Sequence, residues 1–207
     1  METLQGRNPI NKIVVFFGFY WRTLNVLVIV LAMIIPLLHL NHPADPIKLS
    51  PPEITIVWDL FIFLGPLIRL WASGYLQKNQ EVCSKGPYRV VRHPFYLGTL
   101  LCYLGFFMLL DGLFYGGGLF LTTLVLVYYP RILYEEEYLL KKFGGTYGFL
   151  KHDVPRICPF SRLTSLSYPD IRGWSLRQAW QNRGFSLLMG AAAGVLALSL
   201  WVRFMSN

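Results

Sequence analysis

"SKGPYRVVRHPFYLG", Ser84 to Gly98, is a rigid, basic, aromatic stretch with strongly apolar sequence on either side. Lys85, Arg89, Arg92 and His93 are its basic residues, and Gly86, Pro87, Pro94 and Gly98 punctuate it. The apolar runs that flank it decide the fold. A helix that crosses a bilayer needs about 20 mostly apolar residues. On the N-terminal side, Ile54–Leu76 meets that length. On the C-terminal side, Phe95–Leu110 and Leu113–Tyr129 are two shorter apolar runs separated only by Asp111-Gly112. So tight a join predicts an antiparallel helical hairpin.

Further out, "TLNVLVIVLAMIIPLLHL" (Thr23–Leu40) reads as a first span. It is preceded by the apolar run Ile10–Phe19 and an interfacial Tyr20-Trp21-Arg22 anchor. Residues 10–22 either belong to one long tilted helix or lie at the interface. The first apolar run is too long for a cleavable signal, and no small-residue cleavage site follows it. Asn41–Glu53 carries four prolines and reads as a loop. Gly184–Val202 reads as a final span. The expected fold is all-α: one integral membrane domain over residues 1–207, with about five transmembrane helices by window length.

Composition agrees. The 207 residues are 54% hydrophobic and only 14% charged, where a soluble domain is usually nearer about a quarter. Lys and Arg number 19 against 11 Asp and Glu, a net charge of +8. The basic residues fall mainly between apolar spans, which points to lipid headgroups and membrane orientation. No basic stripe suited to a nucleic-acid groove is present, so no nucleic-acid partner is expected. Cys83, Cys102 and Cys158 lack ligand spacing, and no metal site is expected. The Gln77–Arg92 loop and Arg131–Arg183 hold thirteen Lys and Arg between them, against Lys48 alone in the first loop. The positive-inside rule puts both segments in the cytoplasm, with the N-terminus, and the C-terminus outside.

The two cytoplasmic segments flank one hairpin, so their side chains are expected to meet at one membrane face. Gly86-Pro87 enforces a turn, and Pro94 starts the third helix at its first turn. The helix N-terminus there suits an anionic group. The second segment opens "YYPRILYEEEYLLKKFGGTYGFLKHDVPRICPF". Arg131 and Glu135 lie four apart and share a helix face, while Glu136 points elsewhere. Gly144-Gly145 ends that helix, and Pro155 and Pro159 mark an irregular tail in which His152 is solvated. Simpler readings stand beside these: a plain basic loop with interfacial tyrosines, and a surface ion pair worth less than about 1 kcal/mol. Asp59 and Arg69 within the second span are read as a pair, in the membrane or near its interfaces.

"GPYRVVRHPFYLG" resembles the GPYxxxRHPxYxG signature of the isoprenylcysteine carboxyl methyltransferase and phospholipid methyltransferase group. "RILYEEEYLLKKFG..Y......VPR" resembles its second block. The likeness covers about Val82 to Pro159, and both blocks stand in the right order one hairpin apart. Where the family often has acidic residues after FG and a further tyrosine, Gly145, Thr146 and Leu150 stand here.

The resemblance implies a multi-pass enzyme of the bacterial inner membrane or endoplasmic reticulum that binds S-adenosylmethionine at the cytoplasmic face. The methyl acceptor would be lipid-like or prenylated and would arrive from the bilayer. Carried over by position, Gln80, Glu81, Val82, Cys83, Tyr88, His93, Pro94, Phe95 and Tyr96 would line the cofactor. Glu135 would meet its ammonium and Arg131 would orient the acceptor; with Glu136 these form the candidate catalytic set. A zwitterionic sulfonium ligand needs a carboxylate, donors and aromatic faces, all of which these residues supply. Two other classes remain: an NADPH-dependent sterol-reductase-like membrane enzyme, and a non-catalytic membrane protein.

Overall fold

The computed structural model describes residues 16, 20, 21, 23–32, 52–78, 80–158 and 173–206. Among them every regular element is helical. Most of the first proline-rich loop, including Lys48, lies outside the described residues, as do residues 33–40 of the first expected span, most of Ile10–Phe19, and Pro159. The elements are α1 (Thr23–Ala32), α2 (Pro52–Ser73), α3 (Pro94–Asp111), α4 (Gly117–Thr122), α5 (Tyr129–Phe143), α6 (Gly145–Asp153), α7 (Leu176–Gln181) and α8 (Phe185–Ser206). Among the described residues Thr55–Ser73 and Gly112–Phe143 are long and apolar enough to cross a membrane. Thr23–Ala32, Pro94–Leu110 and Phe185–Leu200 are shorter apolar helices.

The expected punctuation holds. Pro94 opens α3, and the chain reverses after Asp111 at Gly112, whose φ of 67° suits only glycine comfortably. The new helix returns so closely that a Cβ on Gly116 would strike the Phe107 backbone. From Gly112 to Phe143 the chain stays helical, with π-helical turns at Gly112–Gly116 and Thr123–Tyr128. Gly144, at φ 53°, ends this run and donates its N–H to the Leu140 carbonyl at 2.9 Å.

The chain forms two compact units, residues 1–55 with 107–145 and residues 56–106 with 146–207. In the first, α1 is held to the helical run of α5. Tyr128 Oη donates to Asn25 Oδ1 at 3.0 Å, and Asn25 Nδ2 donates to the Trp21 carbonyl at 2.7 Å. Asn25 and Tyr128 are both buried. A paired polar bridge of this kind fixes helix register where apolar packing alone would slide.

In the second unit α2 and α3 meet through glycines. A Cβ on Gly65 would collide with the Gly98 carbonyl, one on Gly98 with the Gly65 carbonyl, and one on Gly105 with the Trp58 carbonyl. Small residues let membrane helices approach backbone to backbone. Arg69 reaches across to α3, donating to Thr99 Oγ1 at 2.8 Å with its guanidinium 5.3 Å from the Phe95 ring centre. Asp59 is exposed on the same helix. Ten residues at about 1.5 Å of rise separate it from Arg69 by about 15 Å, so the expected Asp59–Arg69 pair does not form.

The end of α2 is closed by part of the Arg131–Arg183 segment, read from sequence as basic and cytoplasmic. Asn182 Nδ2 donates to the carbonyls of Ser73 at 2.9 Å and Leu76 at 2.6 Å. Ser175 N–H donates to the Gly74 carbonyl at 3.0 Å, and the Trp174 indole covers Gly74. A helix terminus leaves carbonyls that need partners. Asn182→Ala removes that partner from two of them and is expected to cost about 1–3 kcal/mol. Thermal unfolding in detergent, with Arg177→Ala as an exposed control, reads this directly; equal midpoints for the two variants would remove the cap.

Candidate functional site

The predicted site residues divide between the two units. Gln80 to Tyr96 lie in the unit built on α2 and α3, whereas Arg131, Glu135 and Glu136 lie on α5 in the other. Each group is described by itself.

In the first group Lys85 enters a 3₁₀ turn, Gly86–Arg89, with Gly86 at φ 54° and Pro87 next. Glycine is required twice over, because a Cβ there would also strike the Tyr75 ring. Before the turn, side chains alternate. Val82 and Ser84 face a cavity of about 340 Å³, while Cys83 turns inward. Cys83 and Tyr88 join Ala72 and Tyr75 in a buried cluster backed by Trp71, Leu76 and Phe95. Gln80 and Glu81 are exposed. Burial pushes the Cys83 thiol above its ordinary range, with the nearby Glu81 charge adding to this and Lys85 opposing it. The thiol therefore stays protonated at neutral pH.

The turn delivers the chain to Arg92, His93 and Pro94. Arg92 N–H donates to the Pro155 carbonyl at 2.8 Å and His93 N–H to the Arg156 carbonyl at 3.0 Å. The closing VPR of the second block is thus bonded through its main chain to the RH of the first. Val154 beside it is buried. His93 is 5% exposed, and its ring stacks on Tyr96 at 5.6 Å and 27°. Its carbonyl accepts from the N–H groups of Tyr96 (3.1 Å) and Leu97 (3.0 Å). Donors that the sequence reading left open to an anion at this helix start are therefore partly used inside the helix. Pro94 is fully buried, and Phe95 and Tyr96 are half-buried.

The cavity's other wall is α6, through Thr146, Phe149 and Asp153, and Arg89 stands at its edge. The sequence reading ends a helix at Gly144-Gly145 and puts the irregular tail at Pro155 and Pro159; a further helix, α6, stands between them. Tyr147 is 2% exposed and anchors α6 despite its glycines; packing overrides propensity there. His152 is exposed, on the last turn of this helix.

In the second group Arg131 and Glu135 are half-buried, while Glu136 is 3% exposed. Glu136 lies four residues after Ile132, which is 0% exposed, so both occupy the inward face of α5. The Arg131 guanidinium carbon sits 5.3 Å from the Trp21 ring centre and 5.4 Å from that of Tyr134. Trp21, read from sequence as an interfacial anchor, thus forms part of the surround of a candidate site residue. Only the tryptophan's place beside an arginine-bearing helix reveals this, and no spacing in the sequence does. Glu137 makes an ordinary exposed pair with Lys141 at 2.8 Å. Among the described residues, His, Cys, Asp and Glu do not gather in threes that could hold a metal ion.

Residues 53–146 match the family model described as phospholipid methyltransferase. The chain is 26% identical over 145 residues to the cobalt-zinc-cadmium resistance protein CzcN of Cupriavidus metallidurans, covering 69% of this chain and 62% of that protein. It is 38% identical over 82 residues to the protein-S-isoprenylcysteine O-methyltransferase of Schizosaccharomyces pombe, covering 40% of this chain and 34% of that one. The chain thus spans less than two thirds of the length of either relative. No solved structure matches. Over residues 53–146 the chain is thus similar to the phospholipid methyltransferase family, and it is distantly similar to these two proteins.

Proposed function

We propose that this protein is an S-adenosylmethionine-dependent methyltransferase of the membrane, working at the cytoplasmic face on a lipid-like acceptor. The acceptor classes are the carboxylate of a prenylated cysteine and the amine of a phospholipid. In this reading the hairpin and the flanking apolar helices make up about five spans, oriented by the basic residues of the Gln77–Arg92 loop and the Arg131–Arg183 segment. The observation that carries the proposal is the main-chain bonding of Arg92 and His93 to Pro155 and Arg156. The first family block and the closing Val-Pro-Arg of the second, far apart in the chain, are bonded main chain to main chain.

S-adenosylmethionine, when bound, supplies a methyl group on a sulfonium. The chain's part is to bind, orient and exclude water. Glu135 takes the ammonium, a charge-assisted contact. The half-buried rings of Phe95 and Tyr96 offer π-faces to a cationic centre. Gln80, Glu81 and Val82 border the same loop, and Cys83, Tyr88, His93 and Pro94 hold its shape from within. Protonation of Cys83 suits such a site, because a thiolate beside an alkylating sulfonium would itself become a methyl acceptor. Arg131, flanked by Trp21 and Tyr134, orients the acceptor's anionic end, and Glu136 supports α5 from its inward face. Methyl transfer gains its rate mainly from alignment in a dry site.

S-adenosylhomocysteine is expected to raise the thermal midpoint of the purified protein, and NADPH to leave it unchanged. Incubation with methyl-labelled S-adenosylmethionine and a membrane lipid extract then identifies the labelled product. Stabilisation by NADPH alone would support a reductase instead. Stabilisation by neither ligand, with no label transferred, would support a non-catalytic membrane protein.

A further inference from the structure

We infer that α7 and the turn after it form an interfacial foot that binds anionic phospholipid headgroups. This does not rest on the methyltransferase reading; it needs only that α2 and α8 cross the membrane. The helix Leu176–Gln181 is fastened to the end of α2 on both sides. Ahead of it, Ser175 bonds the Gly74 carbonyl, and behind it Asn182 bonds the carbonyls of Ser73 and Leu76. Three residues separate the end of α7 from the start of α8 at Phe185. The helix therefore lies level with the ends of two apolar helices, at the depth where a bilayer's headgroups begin.

Its side chains sort accordingly. Ala179 is fully buried and Gln178 half-buried, which sets the inner face. Leu176 is 60% exposed and Trp180 74% exposed, and they lie side by side at i, i+4 on the outer face. Arg177 and Gln181 follow round the same exposed arc. Arg183 is also exposed and takes the left-handed conformation, φ 54°, in the turn between α7 and α8. Residues 173–206 contain no Asp or Glu, so no acid on the segment neutralises these arginines. An exposed leucine and tryptophan beside two exposed arginines, at a span's end, match an anionic leaflet in both polarity and charge.

The test uses the full chain in nanodiscs of phosphatidylcholine, with and without phosphatidylglycerol. Lipids brominated near the headgroup or near the acyl-chain end quench nearby tryptophan. The difference between wild type and Trp180→Phe isolates one of the chain's six tryptophans. Shallow bromines are expected to quench the Trp180 share more strongly than deep ones. Native mass spectrometry then counts phosphatidylglycerol against phosphatidylcholine carried from mixed micelles. Arg177→Gln and Arg183→Gln are each expected to lower that preference by about five-fold. All three replaced residues are exposed, so folding is preserved. Quenching of Trp180 by aqueous iodide but not by shallow bromines would overturn the proposal, since α7 would then face water or another protein. An unchanged lipid ratio in both arginine variants would overturn the headgroup site.

Discussion

Glu135→Gln is expected to bind S-adenosylhomocysteine about one to two orders of magnitude more weakly than the wild type. The substitution keeps size and hydrogen-bonding capacity and removes only the charge. A charge-assisted bond to the cofactor's ammonium is worth about 1.5–3 kcal/mol, which converts to that loss of affinity. Arg131→Ala is expected to behave differently: cofactor affinity stays near wild type, while methyl transfer to acceptor lipid falls sharply. The geometry sharpens this contrast. The Arg131 guanidinium lies within 5.4 Å of both the Trp21 and Tyr134 ring centres, and cation–π contacts of about 0.5–2 kcal/mol restrain it. Trp21→Ala should therefore reproduce part of the Arg131 loss in turnover, and Trp21→Phe should recover most of it. Titration calorimetry beside a turnover assay separates the roles. Equal loss of cofactor affinity in Glu135→Gln and Arg131→Ala, with the same residual turnover, would reduce the two to a structural pair on α5.

Gly98→Leu is expected to destabilise the protein by at least about 1–3 kcal/mol, the usual cost of overpacking a tight contact. Here the obstacle is backbone. A Cβ at Gly98 would meet the Gly65 carbonyl at 2.5 Å and the Arg69 amide at 3.0 Å, and neither moves aside as a side chain would. The helices must separate, which also strains the Arg69–Thr99 bond next to it. A lower thermal midpoint and aggregation on detergent extraction are the readouts. Gly118→Ala is the control, since nothing lies within 4 Å of a Cβ there, and helix propensity even favours it. If Gly98→Leu matched that control, the close approach of α2 and α3 would be wrong. The glycine that closes the first family block thus has a packing reason, separate from any chemistry in the block.

The sequence by itself determined the features that depend on neighbours along the chain. Helical class follows from the length of apolar runs, and the reversal at Gly112 and the stop at Gly144 from glycine's access to positive φ. The start of α3 at Pro94 and the turn at Gly86-Pro87 follow from proline's fixed geometry. The i, i+4 relation of Arg131 and Glu135 needed only the helical repeat.

Tertiary structure decided the rest. The donor that closes α2 is Asn182, 109 residues beyond the carbonyl of Ser73 that it meets. The partners of Arg92 and His93 are main-chain carbonyls of Pro155 and Arg156, and a carbonyl is common to every residue, so no side-chain pattern announces it. The helices α6 and α7 are short and poor in apolar repeat; Tyr147 and Ala179 fold them by docking onto structure already present. Trp21 beside Arg131 and Gly65 beside Gly98 likewise exist only once separate helices have packed. Hydrophobic length and backbone torsion are local quantities and are written locally. Capping, close approach and ring contact are pairwise quantities between distant residues, and they take their value only from the packed fold.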